Sequence, residues 1–141
     1  MPATPPQTGP TETSFVEFVF PHHANHYGTL FGGNALNLLS KAAFVAATRY
    51  VRCAVVMGRA EHTEFHAPVR VGEMLDIKAR VERIGRASLT IAVEAFAEDI
   101  ASGTQRPALS SRFEMVAVDA GGRPTPIPAR SPVTTLEDTH P

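Results

Sequence analysis

The chain has 141 residues, of which 43% are hydrophobic and 19% charged, the balance of one ordinary globular domain. Thirteen Lys and Arg against fourteen Asp and Glu give a formal charge of -1. That excludes a duplex-tracking surface or a polybasic membrane face and leaves room for a few local arginines that bind an anionic small molecule. Cys53 is the single cysteine, so no intramolecular disulfide can form, and its apolar setting in "CAVVM" reads as a buried core thiol.

Residues 1–13 are rich in Pro and Thr and read as a disordered arm. They lack a basic segment followed by an apolar core, so no signal peptide is expected. The apolar run at Ala42–Ala47 is too short to span a bilayer. The expected location is therefore cytoplasmic, with no membrane or nucleic-acid partner. "SFVEFVF" (Ser14–Phe20) predicts a strand, with Phe15 out of phase with Val16, Phe18 and Phe20. "PHHANHYG" follows as a loop. A helix is expected from Gly32 to about Tyr50, because Leu36, Leu39, Ala43, Ala46 and Ala47 recur at three- and four-residue spacings.

Four strand segments come next: Cys53–Phe65, Met74–Ile84, Leu89–Ile100 and Leu109–Asp119. In the second, Leu75, Ile77, Ala79 and Val81 alternate with Asp76, Lys78, Arg80 and Glu82. In the third, Leu89, Ile91, Val93 and Ala95 share a face. The turns between them are "APVRVGE", "GRAS" and "ASGTQRPA". Residues 124–141 form a Pro-rich tail, which leaves 14–123 as the domain. Short connections favour antiparallel neighbours. A helix apolar on more than one side needs a sheet curled round it, so the fold class is α+β. The sheet edges are expected to be covered by a second subunit.

Ala24, Asn25, Gly28, Leu30, Phe31, Gly32, Gly33, Leu36, Ala42 and Ala43 form the string "AN..G.LFGG..L.....AA". With "F.APVRVGE", "GRASLTIAVE" and "F.MVAVD..GRP.P.P", it resembles the hotdog-fold acyl-CoA thioesterases of the YciA and brain acyl-CoA hydrolase type. The matches cover roughly residues 24 to 128. The resemblance implies a curled five-stranded antiparallel sheet round one long helix. It also implies hydrolysis of acyl-CoA to fatty acid and CoA, no cofactor, and a homodimer or trimer of dimers. The alternative is a non-catalytic acyl-CoA-binding or regulatory protein on the same scaffold.

In that family the paired glycines, here Gly32 and Gly33, open the helix and leave its first N–H groups for the thioester carbonyl. Such donors, backed by the helix dipole, suit an oxyanion. Asn25 matches the family's active-site asparagine; its alternative role is to build a turn. Ser40 is the departure, because the family has a carboxylate, typically Asp, at this point of the helix. Serine does not ionise near neutral pH and needs a neighbouring base to act as nucleophile. Three readings stay open: an engineered substitution, a natural member that lacks this base, and a serine nucleophile. Substitute bases are Glu61, with the parity of Val55 and Phe65, then Glu64, His23 and His26; a solvated surface role is the alternative for each, and the sequence leaves the phase of the strand after Gly58 open. CoA phosphates call for Arg86 with Ser88, or for Arg59, Arg70 or Arg83. Phe31, Leu36 and Leu39, with the subunit interface, are expected to line the acyl tunnel. No metal-ligand spacing occurs.

Overall fold

The computed structural model describes residues 9–128. Strand β1 (Glu12–Phe18) precedes a single turn of 3-10 helix at Pro21–His23 and the helix α1 (Gly32–Val51). Strands β2 (Val55–Phe65), β3 (Met74–Ile84), β4 (Ser88–Glu98) and β5 (Gln105–Ala117) follow. All pairings are antiparallel, and the sheet order is β1-β3-β4-β5-β2. The expected hotdog arrangement is therefore present. The alternation read in β3 and β4 is the one that packs: Leu75, Ile77, Ala79, Val81, Leu89, Ile91, Val93 and Ala95 are all buried. They meet Ala35, Leu39, Ala42, Ala43, Ala46 and Ala47 of α1. Alanines on the helix let the sheet backbone approach closely, and the apolar area they remove from water is the main stabilising term.

Several boundaries differ from the sequence expectation, each for a local reason. Strand β1 starts at Glu12, inside the expected arm, and Gly9 donates its N–H to the Tyr50 carbonyl at 3.1 Å. This supplies a donor to the C-terminal turn of α1, which ends on Arg52 in the left-handed region at φ 58°. The rest of the arm, residues 1–8, lies outside the described residues. At the other end, Pro124 bridges to Val118, the Ile127 N–H bonds to the Arg86 carbonyl, and Ile127 packs on the core. The first residues of the expected tail thus belong to the domain, and residues 129–141 lie outside the described range. Strand β5 begins at Gln105 rather than Leu109. Pro107 reads as a turn residue, but it sits where the β4–β5 register shifts between Ala95 and Phe96, a position that needs no ladder donor.

Strand β2 carries two irregularities, at Met57/Arg59 and at Glu61/Glu64. They decide which way its side chains point. Both edges of the sheet, β1 and β2, lack a strand partner among the described residues. No helix among the described residues is long and apolar enough to cross a membrane.

Candidate active site

The loop before α1 is built on Asn25. Its side-chain oxygen accepts the Tyr27 N–H at 2.9 Å, the Thr29 N–H at 3.3 Å and the Thr29 hydroxyl at 3.2 Å. Its backbone N–H bonds to the Thr29 carbonyl at 2.8 Å, and its own carbonyl accepts from Gly28, whose φ of 82° suits glycine. The turn-forming role is therefore real, and it has a chemical consequence. With Oδ1 saturated, Asn25 has only its amide Nδ2 to offer a ligand, and that is a donor.

Helix α1 starts immediately after this loop. Its first turn carries no acidic residue and no side-chain cap. The N–H groups of Gly32, Gly33 and Asn34 precede the first intrahelical donor, the Ala35 N–H bonded to the Phe31 carbonyl at 2.9 Å, and point out of the N-terminus. The Asn34 side chain is committed elsewhere, donating to the His23 carbonyl at 2.9 Å. A methyl group added at Gly32 meets only the Phe65 ring at 3.7 Å. One added at Gly33 meets only the ring of Phe31, a side chain that is itself exposed. Neither glycine has a positive φ. Packing and backbone conformation therefore do not demand glycine at either place, which leaves open access to the N–H groups as the physical reason for it. A cavity of about 290 Å³ adjoins this turn, lined by Thr29, Leu30, Ala35, Phe65, Val69 and Leu109 among others.

Ser40 lies two turns along on the half-covered side of the helix, between Leu36 (37% exposed) and Phe44 (46% exposed). Its hydroxyl donates to the Asn37 carbonyl at 3.0 Å. The proton is thus directed into the helix backbone, and no basic side chain receives it.

Among the substitute bases, Glu61, Glu64 and His26 take the alternative, surface role. Cross-strand partners share a face. Ala60 pairs with buried Phe113, so Glu61, paired with Arg112, faces the outer side of the sheet. The irregularity after Met57 inverts the parity by which Glu61 was expected to face the helix. There Glu61 lies 3.5 Å from Arg59. Glu64 pairs with Ser110 on the same outer side and stands 3.9 Å from His66. His23 accepts the Phe20 N–H on Nδ1 at 3.1 Å. In its neutral form its proton then sits on Nε2, and no free lone pair remains for general-base work. His26 is exposed and lies tilted against Tyr27, with ring centroids 4.0 Å apart.

Arg59, Arg83 and Ser88 converge on one cavity of about 300 Å³ on the outer face, with Thr90 bonded to Glu114 at its floor. Arg86 is exposed and does not line it, and Arg70 lies in the loop after β2. Of the expected tunnel residues, Leu39 is fully buried core, while Phe31 and Leu36 are exposed on the uncovered side of the helix. No group of three or more potential metal ligands occurs among the described residues.

Glu73, the last residue of the string "F.APVRVGE", has a partner near the cavity that the sequence did not reveal. Arg106 makes a forked contact to Glu73, at 3.0 and 2.9 Å, and also donates to the Pro68 carbonyl at 2.7 Å. The Arg106 guanidinium holds the Glu73 carboxyl below its usual range, outweighing the opposing effect of burial.

The family model that matches residues 27–104 describes the thioesterase superfamily. A Zymomonas mobilis protein named as an uncharacterized acyl-CoA thioester hydrolase is 35% identical, over 84% of this chain and 79% of that one. A crystal structure of an apo-hexameric acyl-CoA thioesterase superposes with a TM-score of 0.81 at 30% identity, covering 92% of this chain and 85% of that chain. An acyl-CoA hydrolase of Staphylococcus aureus, solved with butyryl coenzyme A, matches with a TM-score of 0.79 at 26% identity, over 84% of this chain and 73% of that one. Solved variants of the same hydrolase replace an asparagine, an aspartate and a threonine with alanine. The intervals between those three positions equal the intervals between Asn25, Ser40 and Met57 here.

Proposed function

The chain belongs to the thioesterase superfamily, and on that premise we propose that it binds acyl-CoA and hydrolyses the thioester, with turnover limited by Ser40. The observation that carries this reading is the uncapped first turn of α1, where two glycines without a packing role leave three N–H groups clear. In this reading the thioester carbonyl sits against the Gly32 and Gly33 N–H groups with the Asn25 amide as a further donor. Water adds to the thioester carbon and gives up a proton, the charge that develops on the carbonyl oxygen is stabilised there, and the carbon–sulfur bond breaks to leave the fatty acid and CoA thiolate, which takes up a proton from solvent. The direct test follows free thiol released from a panel of short- and long-chain acyl-CoAs. Absence of thiol from every member, with binding intact, would favour the second reading: an acyl-CoA-binding protein on the same scaffold. The engaged hydroxyl of Ser40 is the observation on that side.

The site belongs with a second copy of the chain. Val56, Met57 and Phe65 on the free edge of β2 are exposed, as are Leu36 and Phe44 on the adjoining stripe of α1. An unpaired edge beside apolar surface is a pairing site. A homodimer is expected to bury more than about 2,000 Å² here, with trimers of dimers as the larger form. Light scattering at micromolar concentration checks this, and a monodisperse monomer that still binds CoA would remove it.

For the nucleotide end of CoA, the cavity holding Arg59, Arg83 and Ser88 replaces Arg86 as the first candidate. Arg83→Ala is expected to weaken CoA binding by about 1.5–3 kcal/mol, the size of a charge-assisted hydrogen bond. Calorimetry with free CoA reads this, and unchanged affinity would put the phosphates elsewhere.

A further inference from the structure

We propose that the Arg106–Glu73 pair is a positioning clamp for the candidate active site, acting through the loop between β2 and β3. The catalytic half of this inference rests on the hydrolase reading above; the mechanical half stands on geometry alone.

Arg106 enters from β5, and its guanidinium spans both Glu73 carboxylate oxygens and the Pro68 carbonyl. The Glu73 carboxylate also accepts the Arg70 N–H at 2.8 Å. One ion pair therefore grips the loop at two backbone points, one on each side of Val69. The Val69 carbonyl accepts the Leu30 N–H at 2.7 Å, and the Val71 N–H donates to the Gly28 carbonyl at 3.1 Å. Gly28 and Leu30 flank Thr29, whose N–H and hydroxyl hold the Asn25 side chain. The chain of contacts runs from Arg106 to the Asn25 turn and the wall of the cavity beside Gly32, without a gap. The outer-face pairs have no such reach. Lys78–Asp76 joins two side chains of one strand, β3, and Arg112–Glu82 reaches from β5 across β4 to β3, strands whose spacing the ladders already hold.

A forked guanidinium fixes direction as well as distance, which a lysine or an apolar pair does not. The Glu73 side chain is only 12% exposed, so water does not readily replace the lost partner. A shift of about 1 Å in a positioning element is enough to cost on the order of 10²-fold in rate.

The test uses Arg106→Lys, which keeps the charge and loses the fork, and Glu73→Gln as a second variant. In the full-length chain, amide hydrogen exchange is expected to quicken about tenfold or more at Leu30 and Val71. Exchange at Ile91 and Val93, in the centre of β4, is expected to stay unchanged. In the Ser40→Asp background, kcat for acyl-CoA is expected to fall by roughly 10–100-fold with KM nearly constant. Unchanged exchange at Leu30 and Val71 overturns the clamp. Equal acceleration at Ile91 and Val93 also overturns it, since the pair is then a general stabiliser. Faster loop exchange with kcat intact removes the catalytic half. If the parent does not hydrolyse acyl-CoA, the hydrolase reading fails, and faster loop exchange alone still supports the clamp.

Discussion

Ser40→Asp is expected to raise kcat for acyl-CoA hydrolysis by about 10²–10⁴-fold, the usual contribution of a general base, with little change in substrate affinity. Ser40 lies on the same helix as the open N–H groups of Gly32 and Gly33, on the stripe between Leu36 and Phe44 that a second copy would cover. Its hydroxyl is tied to the Asn37 carbonyl and has no base beside it. Glu61 and Glu64 face the other side of the sheet, and the His23 lone pair is occupied. A carboxylate at position 40 therefore puts a base on the helix stripe where the Ser40 hydroxyl has none, while the donors that bind the carbonyl are untouched. Affinity and turnover should separate: calorimetry should give similar acyl-CoA binding before and after, and steady-state thiol release should not. Rapid turnover by the unmodified chain that disappears on Ser40→Ala would make the serine a nucleophile. No hydrolysis by either form, with acyl-CoA still bound, would turn the assignment towards a binding protein.

Gly33→Val is expected to lower kcat in the Ser40→Asp background by about 10²–10³-fold, the effect of losing an oxyanion donor, without lowering the melting temperature. The two halves of this expectation have separate physical origins. Gly33 has a helical backbone, and glycine inside a helix costs roughly 0.5–1 kcal/mol relative to alanine. The Cβ of a new side chain at Gly33 meets only the Phe31 ring, at 3.0 Å, and that exposed ring can swing aside, so stability should hold. The same side chain stands over the first-turn N–H groups and keeps a thioester away from them. A variant that is more stable and fully active would show that these N–H groups do not hold the carbonyl. One that unfolds would show a packing role that the geometry does not contain. Asn25→Ala is a less clean probe, because it removes the Nδ2 donor and dismantles the turn at Thr29 together.

The order of elements, the faces of β3 and β4, and the helix from Gly32 were legible in the sequence by itself. Each rests on a short-range period or a local turn, and no distant contact alters it. The same holds for the glycine pair and Asn25, which are adjacent in sequence and meet in one loop. Strand order, the direction of β2 side chains and the Arg106–Glu73 pair were decided only by the tertiary structure. The first of the two irregularities in β2, set by its pairing with β5, reverses the parity that Glu61 shares with Val55 and turns it away from the helix. Pro107 reads as a turn until a register shift opposite Phe96 makes room for it inside a strand. Glu73 closes the string "F.APVRVGE", but Arg106 lies two whole strands further on and nothing in the sequence links the two. They meet because antiparallel pairing of β3, β4 and β5 returns the chain to the same end of the sheet, where a part-buried carboxylate needs a partner.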